Sequence, residues 1–236
     1  MNNETITQPT GVLEKTLHVT LLGVPASYHA QLPTHGNAVH WTAEIDNDTM
    51  LLVIHWPISK QVVDMINMCL AAINCRPVTI VIHGKSEDLS ITNLTHSFIS
   101  WPWEESIEAA LSSLADAILI PAAYRGLISI DYVDYATALK SNGKLSVFRI
   151  THRDIQIALD NLLNQCAIAL SSMSEHDTLC VHVTMPIQQY DLKWIDAIAI
   201  AIEQRVPEQA TINFALTTHK EAFFGLAVFA HQKLTP

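Results

Sequence analysis

Two carboxylates three residues apart, Asp131 and Asp134, stand where a short helix is expected to begin, in the run Gly126-Leu-Ile-Ser129-Ile-Asp131-Tyr-Val-Asp134. Side chains three apart on a helix share one face, so both acids can reach the same water or cation. Acids are also ordinary residues of a helix first turn, where the dipole favours them, and that reading needs no chemistry. A second pair, Ser59 and Lys60, sits at the expected start of another helix, in His55-Trp-Pro-Ile-Ser59-Lys60. A hydroxyl, an ammonium and unpaired backbone N–H groups would suit an anion there. A plain capped turn explains them equally well. His29, His35 and His40 lie loosely near Asp46 and Asp48. Their spacings fit no metal-ligand pattern, so no metal is expected.

The glycines exclude a large class of chemistry. Only seven occur in 236 residues, and the nearest two, Gly11 and Gly23, are twelve apart. A phosphate cradle needs clustered glycines so that backbone donors can approach the anion without a Cβ in the way. Neither G-x-G-x-x-G nor the P-loop pattern can be written into this chain, and G-x-S-x-G is missing as well. No glycine-loop nucleotide site and no cofactor are expected.

Composition narrows the partners. Lys and Arg number 13 against 23 Asp and Glu, a net charge of −10 with neutral His, and no basic run exists. Nucleic acid is therefore not an expected partner. Protonating all 12 His would carry −10 to +2, so net charge depends steeply on pH near 6 to 7. At 49% hydrophobic and 15% charged, the chain is built to bury a core. Its apolar stretches are broken by acids well before the roughly 18–20 residues that a spanning helix needs, so no membrane is expected. Residues 1–14 are polar, acidic and without an apolar core, which predicts a flexible tail, no secretory signal and a cytoplasmic protein. Cys69, Cys75, Cys166 and Cys180 form no C-x-x-C and are expected to pack as reduced thiols.

The elements that must hold these residues follow from hydrophobic period. Residues 17–23, 50–55 and 77–83 predict buried strands, with a short strand at 38–45 and loop at 24–37. A helix capped by Ser59 lies between the second and third of these strands. That βαβ alternation predicts neighbouring parallel strands. Residues 84–95 are polar loop and 96–101 a further short strand. A helix is predicted over 102–119, with Pro102 at its start and Glu104 and Glu105 in its first turn, broken by 121–126. Beyond it come a short helix from 131, strands at 145–150, 178–185, 211–216 and 224–230, and helices at 154–171 and 192–204. This second half suits an α+β sandwich better than a continuation of the first sheet.

The run from Gly126 to Asp134 resembles the synergy loop of the FtsZ/tubulin family, G-x-x-N-x-D-x-x-D, with Ser129 in place of the Asn. In that family the loop of one subunit enters the nucleotide site of the next, and its carboxylates position the attacking water. The ordered elements of 145–231 resemble the family's C-terminal domain, and 104–119 the end of its central helix. Residues 17–83 resemble its first strands more weakly. The resemblance implies an α/β fold: a truncated, Rossmann-like parallel-sheet N-terminal domain over 15–101, a linking helix and loop over 102–126, and an α+β mixed-sheet C-terminal domain over 127–236. It also places Trp101, Trp103 and Glu105 near the family's guanine pocket, where a ring and a carboxylate can grip a base; a packed helix start explains them equally well.

The departures decide the expected function. The family's G-G-G-T-G-[ST]-G signature should follow Ile54, yet the chain there reads His55-Trp-Pro-Ile-Ser59-Lys60. Gly126, Ser129, Asp131 and Asp134 are the expected synergy-loop residues. Ser59, Lys60, Trp101 and Glu105 are the expected remnant of a nucleotide site. The resemblance thus implies a relative of a bacterial cell-division protein without GTPase activity or cofactor. Its expected work is interaction with an FtsZ-type protein or with itself, capping or tuning protofilaments. A self-associating scaffold unrelated to division, and a hydrolase built on Asp131 and Asp134, remain alternatives.

Overall fold

Short β-rich runs between Gly, Pro and polar turns give the first strands. The computed structural model describes residues 12–29, 32, 34–55, 57–73, 76–83, 97–100, 106–139 and 143–233. Strands β1 (Val12–Leu13), β2 (Leu17–Leu22), β3 (Val39–Thr42), β4 (Leu51–His55), β5 (Val78–His83) and β6 (Ser97–Ser100) come first, with helices α1 (Ala26–His29) and α2 (Lys60–Ala72) among them. The linking helix follows as α3 (Ile107–Leu114), a widened segment Ala115–Leu119 and α4 (Ile120–Ala123). Then come β7 (Tyr124–Arg125), α5 (Tyr132–Ala138), β8 (Gly143–His152), α6 (Ile155–Ser171), β9 (Thr178–Pro186), α7 (Leu192–Glu203), β10 (Thr211–His219) and β11 (Phe224–Lys233).

Nine strands form one sheet in the order β10-β9-β11-β8-β6-β5-β4-β2-β3. The β2, β4 and β5 strands are parallel neighbours, as the βαβ reading requires. The C-terminal strands continue this sheet rather than forming a separate sandwich, because β8 adds parallel to β6 at Ser97↔Gly143 and Phe98↔Lys144. Only β11 runs against its neighbours, returning antiparallel between β8 and β9. The architecture is thus an N-terminal parallel sheet, a linking helix and a C-terminal mixed α/β part, in three layers. The linking helix and α5 cover one face across both halves, from Leu17 and Val53 to Cys180 and Phe229. On the other face α6 and α7 cover the C-terminal strands, while α2 covers the N-terminal ones through Leu52, Ile54, Ile66 and Val81.

Several local expectations need correction. Residues 12 and 13 are not tail: they pair antiparallel with Tyr124 and Arg125. The loop at 24–37 contains α1. The linking helix starts at Ile107, capped by Ser106, and the expected first turn at 102–105 lies outside the described residues. The C-terminal strands run longer than their apolar cores, because edge polar residues stay in register with their neighbours. Pro121 does not break the linking helix. It lacks an N–H and would crowd the carbonyl four residues earlier in a regular helix. The helix answers by widening one turn, so that the Ile120 N–H donates to the carbonyl of Ala115, five residues back, and helical backbone continues to Ala123. Among the described residues no helix is long and apolar enough to cross a membrane.

Candidate functional site

The loop from Gly126 to Asp134 is held at three points. A Cβ on Gly126 would lie 2.1 Å from the Leu216 carbonyl oxygen, so only glycine fits this approach to β10. Leu127 donates its N–H to that oxygen at 2.8 Å, and Leu216 donates back to the carbonyl of Ile128 at 2.8 Å. The Ser129 hydroxyl accepts the Gly126 N–H at 3.1 Å, so it closes the loop on itself. Farther along, the Tyr132 hydroxyl donates to the Met50 carbonyl just before β4, and the Lys15 ammonium lies 5.0 Å from the Tyr132 ring centre. Tyr135 is buried against Phe229, ring centres 5.7 Å apart.

This scaffold fixes the two acids at the start of α5. Asp131 is the cap residue, outside the helix proper, so the two carboxylates are not simply successive helical positions on one face. They are reciprocal partners: Asp131 Oδ1 accepts the Asp134 N–H at 3.0 Å, and Asp134 Oδ2 accepts the Asp131 N–H at 3.3 Å. This capping box satisfies two backbone donors of the helix start. Among the described residues one oxygen of each carboxylate is left without a hydrogen bond, and both residues are exposed. Exposed around them are the apolar side chains of Leu127, Ile128 and Val133. The arrangement can therefore do what capped acids do, and also offer two preoriented oxygens to an incoming partner.

The other expected site lies at the opposite end of the parallel strands. Tyr132 meets β4 at its start, whereas Ser59 and Lys60 follow its end, across about 16 Å of strand at 3.3 Å per residue. The Ser59 hydroxyl accepts the Val62 N–H at 3.4 Å and caps α2. Lys60 is the first residue of that helix and is exposed. Beside them, Gly23 takes φ +83°, and a Cβ there would fall 2.1 Å from the His55 carbonyl oxygen and 3.2 Å from the Ile58 side chain. The two strand-to-helix turns thus abut. Trp101, Trp103 and Glu105 lie outside the described residues. The loose cluster splits: His29, which bonds the Leu21 carbonyl, and His40, which packs edge-on against His18, stay near each other, whereas Asp46 closes the turn to Thr49. A cavity of about 290 Å³ lined by His29, His40, Asn37 and Thr34, among others, touches neither Asp131 nor Asp134. No group of three or more His, Cys, Asp or Glu side chains that could hold a metal occurs among the described residues.

A buried polar group that sequence reading missed ties the linking helix to the C-terminal strands. Asp116, 1% exposed, pairs with the Arg149 guanidinium of β8, which also donates to the Ser112 hydroxyl at 3.1 Å. Burial lifts the Asp116 carboxyl to about 6, against the pull of Arg149. The carbonyl of Asp116 has no partner within the helix: the Ile120 N–H goes to Ala115, and Pro121 has none to give. His182 of β9 fills the gap, its Nδ1–H donating to that carbonyl at 2.7 Å while Nε2 accepts from the Thr217 hydroxyl at 2.8 Å. Burial pushes the His182 imidazole down to about 4, which keeps it neutral in this double role. The signal was present in the sequence as one acid and one proline inside an apolar helical run.

No family model matches the chain, and no curated protein matches it. Solved structures do. An empty FtsZ dimer from M. jannaschii matches with a TM-score of 0.53 and 14% identity, over 78% of this chain and 64% of that one. GDP-form protofilaments of TubZ from Bacillus thuringiensis serovar israelensis match with a TM-score of 0.55 and 9% identity, over 80% and 66%. A GTPγS-bound protofilament of CetZ2 from Haloferax volcanii matches with a TM-score of 0.54 and 8% identity, over 80% and 67%. The fold is like that of these FtsZ, TubZ and CetZ structures, and the chain spans about two thirds of their length.

Proposed function

We propose that this chain works by protein interaction and not by GTP turnover: it offers residues 126–134 to the nucleotide face of an FtsZ-type partner and caps or tunes that partner's protofilaments in cell division. The observation that carries this reading is the contrast between the two ends of the parallel strands. One end keeps a braced loop with two acids whose outer oxygens face solvent. At the other, the turns after β2 and β4 press against each other, and the chain between His55 and Lys60 holds no glycine to present donors to a phosphate. Head-to-tail polymers grow because every subunit carries both complementary faces. A subunit with one working face ends the polymer. With Asp131 and Asp134 reaching the partner's bound nucleotide, it would also supply carboxylates for hydrolysis in trans. Ser129 is engaged with Gly126, so stimulation is the smaller effect and capping the larger.

The test is co-sedimentation and electron microscopy with the cognate FtsZ at substoichiometric amounts of this protein. Shorter filaments and faster GTP turnover are expected, and Asp131→Ala with Asp134→Ala is expected to lose the stimulation. The isolated protein is expected to show no micromolar GTP binding by calorimetry. Unchanged filament length with unchanged turnover rejects the reading. A second reading, a self-associating scaffold, is favoured by the exposed methionines of α2, Met65 and Met68 at 47% and 73%.

A further inference from the structure

The two edges of the nine-stranded sheet differ in kind. At one, β3 spans only Val39–Thr42. At the other, β10 runs from Thr211 to His219 with no Asp, Glu, Lys, Arg or Pro in it. Edge strands of this length normally carry a charge, a proline or a bulge against unwanted pairing. In a parallel pair, alternate residues turn both backbone groups toward the neighbour. Leu216 turns its N–H and C=O outward, where Ile128 and Leu127 take them. By the same alternation Phe214 and Ile212 also face outward, and among the described residues their outward N–H and C=O have no backbone partner. Thr211 is exposed and residues 212–214 are half-buried, so this stretch is open to a strand.

We propose that this edge pairs antiparallel with the same edge of a second copy, about a two-fold axis through Asn213. The register follows from what is open. An axis through Phe214 would require the backbone of Leu216, which Ile128 already holds. An axis through Ile212 would require Ala210, whose N–H is turned into the preceding loop onto the Pro207 carbonyl. With the axis at Asn213, Ile212 of each copy exchanges both backbone bonds with Phe214 of the other, and every open group is used.

The side chains suit this register. On the face toward α6 and α7, Ile212 and Phe214 already pack partly into the core. Across the axis they form two β-branched–aromatic pairs, a favoured combination in antiparallel sheets. On the other face the two Asn213 residues stand opposite each other, each amide donating to its own Cys180 Sγ at 3.6 Å, and no like charges are opposed. A two-fold contact of this kind is self-complementary, and it extends the sheet without remodelling either subunit. It needs neither FtsZ nor nucleotide, so it stands apart from the capping role.

Sedimentation of the protein alone between about 1 and 200 μM should show a concentration-dependent dimer. Hydrogen exchange should slow about tenfold or more at the Ile212 and Phe214 amides in the dimer. Asn213→Lys and Asn213→Asp should each weaken association about tenfold, by placing like charges on the axis, and an equimolar mixture of the two should restore it. A protein monomeric over the whole range overturns the proposal. So does a dimer in which the two amides exchange as fast as in the monomer, or a mixture that associates no better than either variant. Where either variant misfolds, exchange in the unaltered protein decides.

Discussion

Helices α2 and α6 cover the same face of one sheet, yet they are held very differently. In α6, eight side chains between Ile155 and Leu170 are buried, and the β9 strand beneath it is buried along its whole length. In α2 only Ile66 is buried, and Met65 and Met68 face outward. The C-terminal half is therefore a deep core, and the N-terminal half is covered by a thin one on that face. The braced loop 126–134 is attached to both, through Leu216 on one side and Met50 on the other. The turn that bears Ser59 and Lys60 rests on the thin half alone. An interaction surface that must keep its shape is better mounted on the first kind of support than on the second.

The sharpest way to break this contrast is a pair of truncations. Phe229→Ala empties a fully buried position that also backs Tyr135, and should cost about 3–5 kcal/mol in urea unfolding. Met68→Ala on the outer face of α2 should change stability by no more than about 0.5 kcal/mol. Comparable losses from the two would mean that the halves are equally supported.

A proton count probes the interior that joins the halves. His35 and His182 are pushed down to about 4, and burial lowers His219 as well, so the unfolded chain binds more protons than the folded one at these sites below about pH 6.5. These groups make stability fall as pH drops from about 6.5 toward 4. Asp116, lifted to about 6, has the opposite sign: between about 4 and 6 the folded state holds its proton more tightly, and this contribution weakens the protein as pH rises. The two effects partly cancel. Asp116→Asn removes the opposing one, and the slope of stability against pH should steepen by up to about 1.4 kcal/mol per pH unit between pH 4 and 6. An unchanged slope would place Asp116 in contact with water.

The smallest expected effect compares the two helix caps. Asp131→Ala removes one half of a reciprocal box and should cost about 1 kcal/mol. Ser59→Ala loses a single bond of 3.4 Å and should cost less, about 0.5 kcal/mol. The reverse order would move the better-formed helix start to the thin half.

Local signals in the sequence were the ones that translated. Ser59 caps the helix expected to follow it, and the helices expected from 131 and 154 begin one residue later with Asp131 and Asp154 as their caps, because a cap depends on a side chain and the backbone two or three residues away. The three parallel strands around α2 followed from an apolar period that needs no distant partner to be recognised. What failed to show was set at long range. The join of β6 to β8 rests on backbone register between residues more than forty apart, which side-chain patterns do not encode. Val12 and Leu13 become a strand only because Tyr124 and Arg125 are beside them. At the candidate site, the motif could be read from the chain, but how its residues engage one another could not. Nothing in the motif shows that Ser129 closes on Gly126, or that each acid caps the other's backbone.

Pro121 and His182 are sixty-one positions apart in the chain, yet neither makes full sense without the other. The proline deprives the Asp116 carbonyl of its helical donor, and the imidazole supplies the substitute. The two positions are therefore epistatic. Losing the histidine orphans that carbonyl only while the proline stays, and in either case it strips the buried Thr217 hydroxyl of its acceptor. Replacing the proline first would hand the helix back its own donor and leave the imidazole with Thr217 as its remaining necessary partner. Drift at either site is constrained by the state of the other, and the order in which the two changes occur determines whether the intermediate folds.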